Sequence, residues 1–322
     1  MKNRLADALL FLVAAGLLSA LILHSNPAAI AKTLSKSNPV FVGGALTITS
    51  AIILVKIIRW KIILESIKIK LSAAQVAGPY TASLFVSNIT PGRVGEPIRS
   101  YYLKKSLGHP IANTLPSVLL ERLLDISTLM FFYLSGLVLL YSIVDKILAA
   151  AALVVAFAVG SVIFFAGNKK LLRATFDKIY NLLEFIPKIR ELAKRAEKLP
   201  EKFHAGFVLA SKSKHVPKLI LITLFTWVME FFIVKLSFLS IGVDMGFLII
   251  ASVCSIATVI GLLTFLPGNI GSFEATAALL FTQVVPGMDL ATATSGVIIY
   301  RISSLWFALL LSLKSFIKYQ YS

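Results

Sequence analysis

The sequence predicts an all-α polytopic membrane protein, built as an inverted-topology repeat with two re-entrant, broken helical hairpins. Three observations carry this prediction. First, the 322-residue chain is 57% hydrophobic and 15% charged, with a mean hydropathy of +0.87; soluble domains are about a quarter charged. Second, an unusual phrase occurs twice. Residues 91–96 read Pro91-Gly92-Arg93-Val94-Gly95-Glu96, and residues 267–272 read Pro267-Gly268-Asn269-Ile270-Gly271-Ser272, with Glu274 just beyond. Third, the basic residues are distributed so that the two copies take opposite orientations across a bilayer.

Apolar stretches fall near 5–23, 40–58, 73–90, 111–142, 147–166, 217–241, 247–266, 272–285 and 290–313. Those of roughly 18 residues or more can cross about 30 Å of hydrocarbon as helices. A barrel would show ten-residue alternation instead. The first stretch follows Met1-Lys2-Asn3-Arg4 and is followed by the small residues of Ser25-Asn26-Pro27-Ala28-Ala29. It reads as a retained anchor rather than a cleaved leader, because it is long and further spans follow.

Loops rich in Lys and Arg face the cytoplasm. Lys56, Arg59, Lys61, Lys68 and Lys70 follow the second stretch, Lys104 and Lys105 follow the first tip, and residues 169–218 hold 13 Lys/Arg against 5 acids. With 56–70 and 104–109 on one side, 73–103 enters, turns near Pro91-Gly92 and returns. Stretch 111–142 then runs outward, 147–166 inward and 217–241 outward. The loop 242–246 has no basic residue, as an outer loop should. Lys314 and Lys318 place the C-terminus inside, so 247–287 is a second hairpin entering from the opposite face.

Helix-breaking Pro-Gly at membrane depth leaves backbone groups unpaired and is tolerated only where protein or a water-filled cavity surrounds it. Two such breaks in matching places mark the discontinuous helices of a pseudo-symmetric transporter. Pro91, Gly92 and Gly95 form one hairpin tip; Pro267, Gly268 and Gly271 form the other. An arginine in a later apolar stretch follows each tip proline, Arg122 after 31 residues and Arg301 after 34. The chain is expected to be a single integral membrane domain over 1–322. Repeat one spans about 40–142, a basic cytoplasmic linker 167–216, and repeat two about 217–316. In the linker, Leu172, Phe176, Ile179, Leu183 and Ile186 recur at helical spacing, as in an amphipathic helix lying on the leaflet.

The candidate substrate-binding residues are the charges and polar groups near the tips. A helix starting just past Gly95 would offer free N–H groups to an anion. Arg93 adds a guanidinium able to hold phosphate bidentately, although an arginine here can also snorkel to the interface, as can Arg99. Glu96 and Arg99 are three apart and share a helix face. Glu121, Arg122 and Asp125 lie inside 111–142, where charges must face a polar interior. Arg122 and Asp125 are spaced to pair, and either carboxylate could couple to protons or fix the fold through an ion pair. In the second repeat the corresponding set is Asn269, Glu274 and Arg301, with Arg301 the counterpart of Arg122, Glu274 that of Glu96, and Asn269 standing where Arg93 does. Glu230 and Lys235 are also intramembrane charges, each needing a partner elsewhere.

The net charge of +17, from 32 basic and 15 acidic residues, points to an anionic leaflet rather than to nucleic acid. One cysteine, Cys254, and four scattered histidines show no metal-ligand spacing, so neither metal nor cofactor is expected. No hydrolase, zinc-protease, phosphate-loop or dinucleotide motif is present, which argues against an enzyme and against a transport ATPase.

The phrases Thr90–Glu96, Glu121-Arg122-Leu123-Leu124-Asp125, Leu266–Glu274 and Tyr300-Arg301, taken in order, resemble the membrane region of lysylphosphatidylglycerol synthases over roughly residues 5–316. The resemblance implies translocation of a lipid with an anionic phosphate headgroup: an aminoacyl phospholipid, a glycolipid or a polyprenyl-phosphate sugar. Bifunctional members of that family carry a soluble aminoacyltransferase domain, which this protein is expected not to have. The expected activity is a flippase working by alternating access in the cell membrane, with both termini cytoplasmic. The alternative is a non-transporting subunit that docks a soluble lipid-modifying enzyme. Small residues such as Gly43-Gly44 permit helix packing within the chain or in a homo-oligomer.

Overall fold

The computed structural model describes residues 2–92, 95–140, 160, 167–171, 173–174 and 199–321. The stretch 147–166 and the amphipathic pattern over 172–186 fall outside these residues, apart from isolated positions. Every regular element among the described residues is helical. With several long apolar helices, the chain is a polytopic all-α membrane protein.

The chain opens with α1 (Lys2–His24) and α2 (Pro27–Ser35), bent by 86° at their junction. Asn26 makes the corner in the left-handed region (φ 61°), and its side chain accepts from Ala29 N. Ser25 is buried there, its hydroxyl 3.0 Å from that of Thr294.

Next comes α3 (Pro39–Ser66), followed by α4 (Ala73–Ile89), α5 (Ile98–Leu107) and α6 (Ile111–Leu139). A reciprocal cap between Ser72 and Gln75 starts α4, and the Thr90-Pro91-Gly92 break ends it. After α7 (Leu199–Ser211) come α8 (Val216–Leu239), α9 (Phe247–Leu263) and α10 (Ser272–Val284). The last helix, α11 (Leu290–Arg301), passes through a π turn (Ile302–Trp306) into α12 (Phe307–Tyr321).

Among the described residues, four helices are long and apolar enough to cross a membrane: α3, α6, α8, and the continuous run Leu290–Gln320. The 17 residues of α4 reach only about 26 Å, and the 10 of α5 about 15 Å, at 1.5 Å per residue. Each thus falls short of the roughly 30 Å of a hydrocarbon core. The same holds for α9 and α10, with 17 and 13 residues. Each repeated phrase therefore lies between two helices too short to cross alone.

The two breaks meet one another. Pro91 and Pro267 form an isolated antiparallel backbone bridge, the one β contact among the described residues. Around this junction lie two main apolar cores. One joins α6, α8, α9, α10 and α11 through residues such as Phe231, Ile256 and Phe281. The other joins α3, α4 and α8 through Trp60, Ile63, Val76 and Leu219. Helices α3 and α8 run antiparallel across both cores: Asn38 N donates to Ser240 O at one end, and Arg59 donates to Thr223 toward the other.

A polar cleft between two broken hairpins

The tips place their charged residues by local backbone chemistry. In the first tip, Thr90 Oγ1 accepts from Gly95 N at 3.0 Å, closing the turn. Residues 95–97 are still turn, and α5 starts only at Ile98. The amides of Ile98, Arg99 and Ser100 bond back to the carbonyls of Gly95, Glu96 and Pro97. The free helix N-terminus expected just past Gly95 is thus absent, because the turn consumes its donors. Arg93 lies outside the described residues.

Glu96 reaches across to α6 and pairs with Arg122 at 2.5 Å, each side chain 21% exposed. The expected pairing of Arg122 with Asp125 is not made. Asp125 is held instead by both terminal nitrogens of Arg59, at 2.6 and 2.9 Å. A planar guanidinium from a neighbouring helix satisfies a carboxylate more fully than a helical i,i+3 neighbour does.

Arg59 also bonds Glu121 at 2.8 Å, and Glu121 takes Arg99 on its other oxygen at 2.5 Å. Arg99 lies against the rings of Trp60 and Tyr80, 4.7 and 5.3 Å from their centroids. Arg99 and Glu121 are both buried. Arg99 therefore does not snorkel, Glu96 and Arg99 take different partners, and Glu121 makes the interhelical ion pair that was one of its two expected roles. Arg59, assigned above to a cytoplasmic loop, is 1% exposed. The signal was present: no glycine or proline interrupts residues 45–77, so helix α3 continues past the apolar stretch and carries Lys56 and Arg59 inside with it.

The second tip repeats the pairing with more contacts. Glu274 and Arg301 lie 2.6 Å apart. Glu274 also accepts from Gly271 N at 2.7 Å, while Arg301 donates to Gly268 O at 2.5 Å and lies over the Phe273 ring. Asn269 has φ 57°, a left-handed conformation that asparagine tolerates better than most residues. Its place opposite Arg93 in the repeat thus has a backbone reason as well as a charge consequence.

Two adjoining clefts open beside the tips. Lys56, Glu230, Tyr300 and Arg301 line both. The first cleft adds Arg122, Asp125, Asn269, Trp227 and Phe273. The second adds an apolar wall including Ile52, Leu84 and Leu305. Of the residues expected from sequence, Arg122, Asp125, Asn269 and Arg301 face the clefts, whereas Glu96, Arg99, Glu121 and Glu274 stand behind them as ion partners. Tyr300 donates to Glu230 at 2.9 Å, and Lys235 is satisfied by Asp244 and by Met245 O. Lys56 is the residue that sequence reasoning placed elsewhere.

Comparison with known proteins agrees with this architecture. A family model described as the lysylphosphatidylglycerol synthase TM region matches residues 8–312. Two UPF0104 membrane proteins of Methanothermobacter thermautotrophicus are 27% and 26% identical; the first alignment covers 95% of this chain and 93% of that relative, the second 94% and 90%. A UPF0104 membrane protein of Pyrococcus horikoshii is 23% identical, over 80% of this chain and 81% of its own.

Proposed function

Because the chain belongs to the lysylphosphatidylglycerol synthase transmembrane-region family, we propose that it moves a phosphate-bearing lipid between leaflets. The observation that carries this reading is the paired cleft where the two tips meet: a polar, cation-lined floor beside an apolar wall inside a membrane bundle. Charge at such depth is costly and marks a pathway. The two chemistries side by side suit an amphiphile, its headgroup on the polar floor and its tails along the wall. Broken helices meeting at one point suit alternating access, in which one repeat rocks against the other. The reading places the protein in the cell membrane with cytoplasmic termini, and assigns transport rather than catalysis to it.

The test is purified protein in liposomes carrying a headgroup-labelled anionic lipid in one leaflet. The expected result is transfer to the other leaflet at a rate proportional to protein content. A subunit that only docks a soluble lipid-modifying enzyme moves no lipid by itself, and absence of transfer for every headgroup tried would replace the translocase reading with that one.

A further inference from the structure

We propose that Lys56 and Glu230 form the headgroup subsite of the cleft. Lys56 takes the anionic phosphate, and Glu230 takes an O–H or N–H donor on the substituent that the phosphate carries. The inference deepens the translocase reading and rests on it for the identity of the ligand as a lipid.

The argument begins with which charges are already spent. Arg59 and Arg99 are taken by Glu121 and Asp125, Arg122 by Glu96, and Arg301 by Glu274. Glu65, Glu201 and Asp244 each have a lysine or arginine. Among the described carboxylates, that leaves Glu230 and Asp289 without a cation in ion-pair range. Asp289 is an exposed residue that caps α11 through Thr292 N, so its role is local. Glu230 lines both clefts. Lys56 lines both as well and is half-buried; its charge acts on Asp125, but it is in ion-pair range of no carboxylate among the described residues. Two half-buried charges of opposite sign in one cleft, neither held by an ion pair, can be answered by one ligand that carries both an anionic group and a donor.

Geometry sets the size of that ligand. The antiparallel register of α3 and α8 puts Glu230 level with about residue 51 of α3, so Lys56 stands about 8 Å away along the helix axis at 1.5 Å per residue. A phosphate ester with a small polar substituent covers such a distance. The Tyr300 hydroxyl donates to one oxygen of Glu230, which leaves the other free to accept. An apolar wall of Ile52, Leu84 and Leu305 lines the second cleft together with Lys56 and Glu230, and the tails would lie along it. Arg122 and Arg301, which line the first cleft as well, are already paired with Glu96 and Glu274.

The test is competitive lipid binding to the full chain by native mass spectrometry. The probes are phosphatidic acid, phosphatidylethanolamine and phosphatidylinositol of one acyl composition. The wild-type protein should retain a donor-bearing lipid over phosphatidic acid. Preference for phosphatidylethanolamine identifies an ammonium at Glu230, and preference for phosphatidylinositol identifies hydroxyls. Glu230→Gln should lower that preference by roughly tenfold or more, and Lys56→Gln should weaken all three lipids to a similar degree, as expected for lost charged hydrogen bonds. Lys61→Gln, on the same helix but paired with Glu65, should change neither. Should a variant fail to fold, wild-type protein answers instead: phosphatidic acid should protect Lys56 from amine acetylation and leave the exposed Lys68 reactive. A folded Glu230→Gln protein with the wild-type preference, a folded Lys56→Gln protein with wild-type affinity for all three lipids, or an unprotected Lys56, would overturn the subsite. A wild type with the expected binding pattern that moves no lipid in liposomes would instead overturn the translocase reading and leave the subsite standing.

Discussion

The two hairpin tips hold the same ion pair by different means. In the second, Glu274 and Arg301 are 4% and 10% exposed, and each also grips the tip backbone, at Gly271 N and Gly268 O. In the first, Glu96 and Arg122 are each 21% exposed, and among the described residues the turn is closed by Thr90 rather than by the pair. Similar charges in similar places therefore differ in what they support. The second pair holds a backbone conformation, while the first is the more exposed and its main contact among the described residues is mutual. The difference suggests one fixed tip and one movable tip, rather than two equivalent gates.

The largest expected effect is on the fixed tip. Arg301→Ala leaves Glu274 buried without a cation and Gly268 O without its donor. Breaking a buried pair this way costs about 3–5 kcal/mol. The outcome should be a sharp fall in folded yield and in thermal midpoint in detergent. A fully stable Arg301→Ala protein would mean that the two tips are not distinguished by their anchoring.

Charge reversal probes the same contrast. Glu96→Arg with Arg122→Glu should recover most of the stability lost by either single change, because the pair's main contact is mutual. Glu274→Arg with Arg301→Glu should not, because a glutamate cannot donate to Gly268 O and an arginine cannot accept from Gly271 N. The unrecovered part should be about 2–3 kcal/mol, that of unsatisfied buried groups. Equal rescue in both tips, read from melting in detergent, would refute the asymmetry.

Much of this was legible in the sequence, for physical reasons that can be named. Helix-breaking residues at membrane depth are so costly in lipid that two of them located the tips, and the recurrence of an arginine after each pointed to Arg122 and Arg301. The partners were harder to read. Local spacing paired Arg122 with Asp125, but a helix neighbour at i,i+3 was outcompeted by Arg59, whose arrival depends on how α3 packs against α6. Lys56 was misplaced because an apolar stretch ending near residue 58 looks like the end of a helix. The true end is set by Ser66–Ile67, where the last carbonyls turn back onto Ile67, Lys68 and Ile69. Burial of a cation depends on partners up to 164 residues away, as for Arg59 with Thr223, and no single-sequence pattern records them.

A smaller effect separates the two glycines at the bridge. Gly92 and Gly268 both have left-handed backbones, at φ 56° and 58°, where an L-residue costs about 1–2 kcal/mol. A Cβ at Gly268 would meet the carbonyl of Asn88 at 3.0 Å, whereas one at Gly92 would meet the Phe265 ring. A ring can turn aside and a carbonyl in a helix end cannot. Gly268→Ala should thus lower the melting midpoint more than Gly92→Ala. The reverse order would argue that the first tip is the rigid one.

The smallest stability effect, and the most informative, is expected from Arg122→Ala. Its pair is partly exposed, so removal should cost only about 1 kcal/mol, at the upper end of exposed ion pairs. Transport in liposomes should nevertheless be lost. Arg122 lines the polar cleft and ties α6 to the tip between α4 and α5, so without it the movable hairpin no longer follows the bundle. Glu96→Gln isolates this coupling, because it breaks the tie while leaving Arg122 in the cleft. If Glu96→Gln abolishes transport as fully as Arg122→Ala, the pair works by moving the tip. If Glu96→Gln transports normally and Arg122→Ala does not, Arg122 works by touching the lipid, and the distinction between a fixed and a movable tip fails at its most direct point.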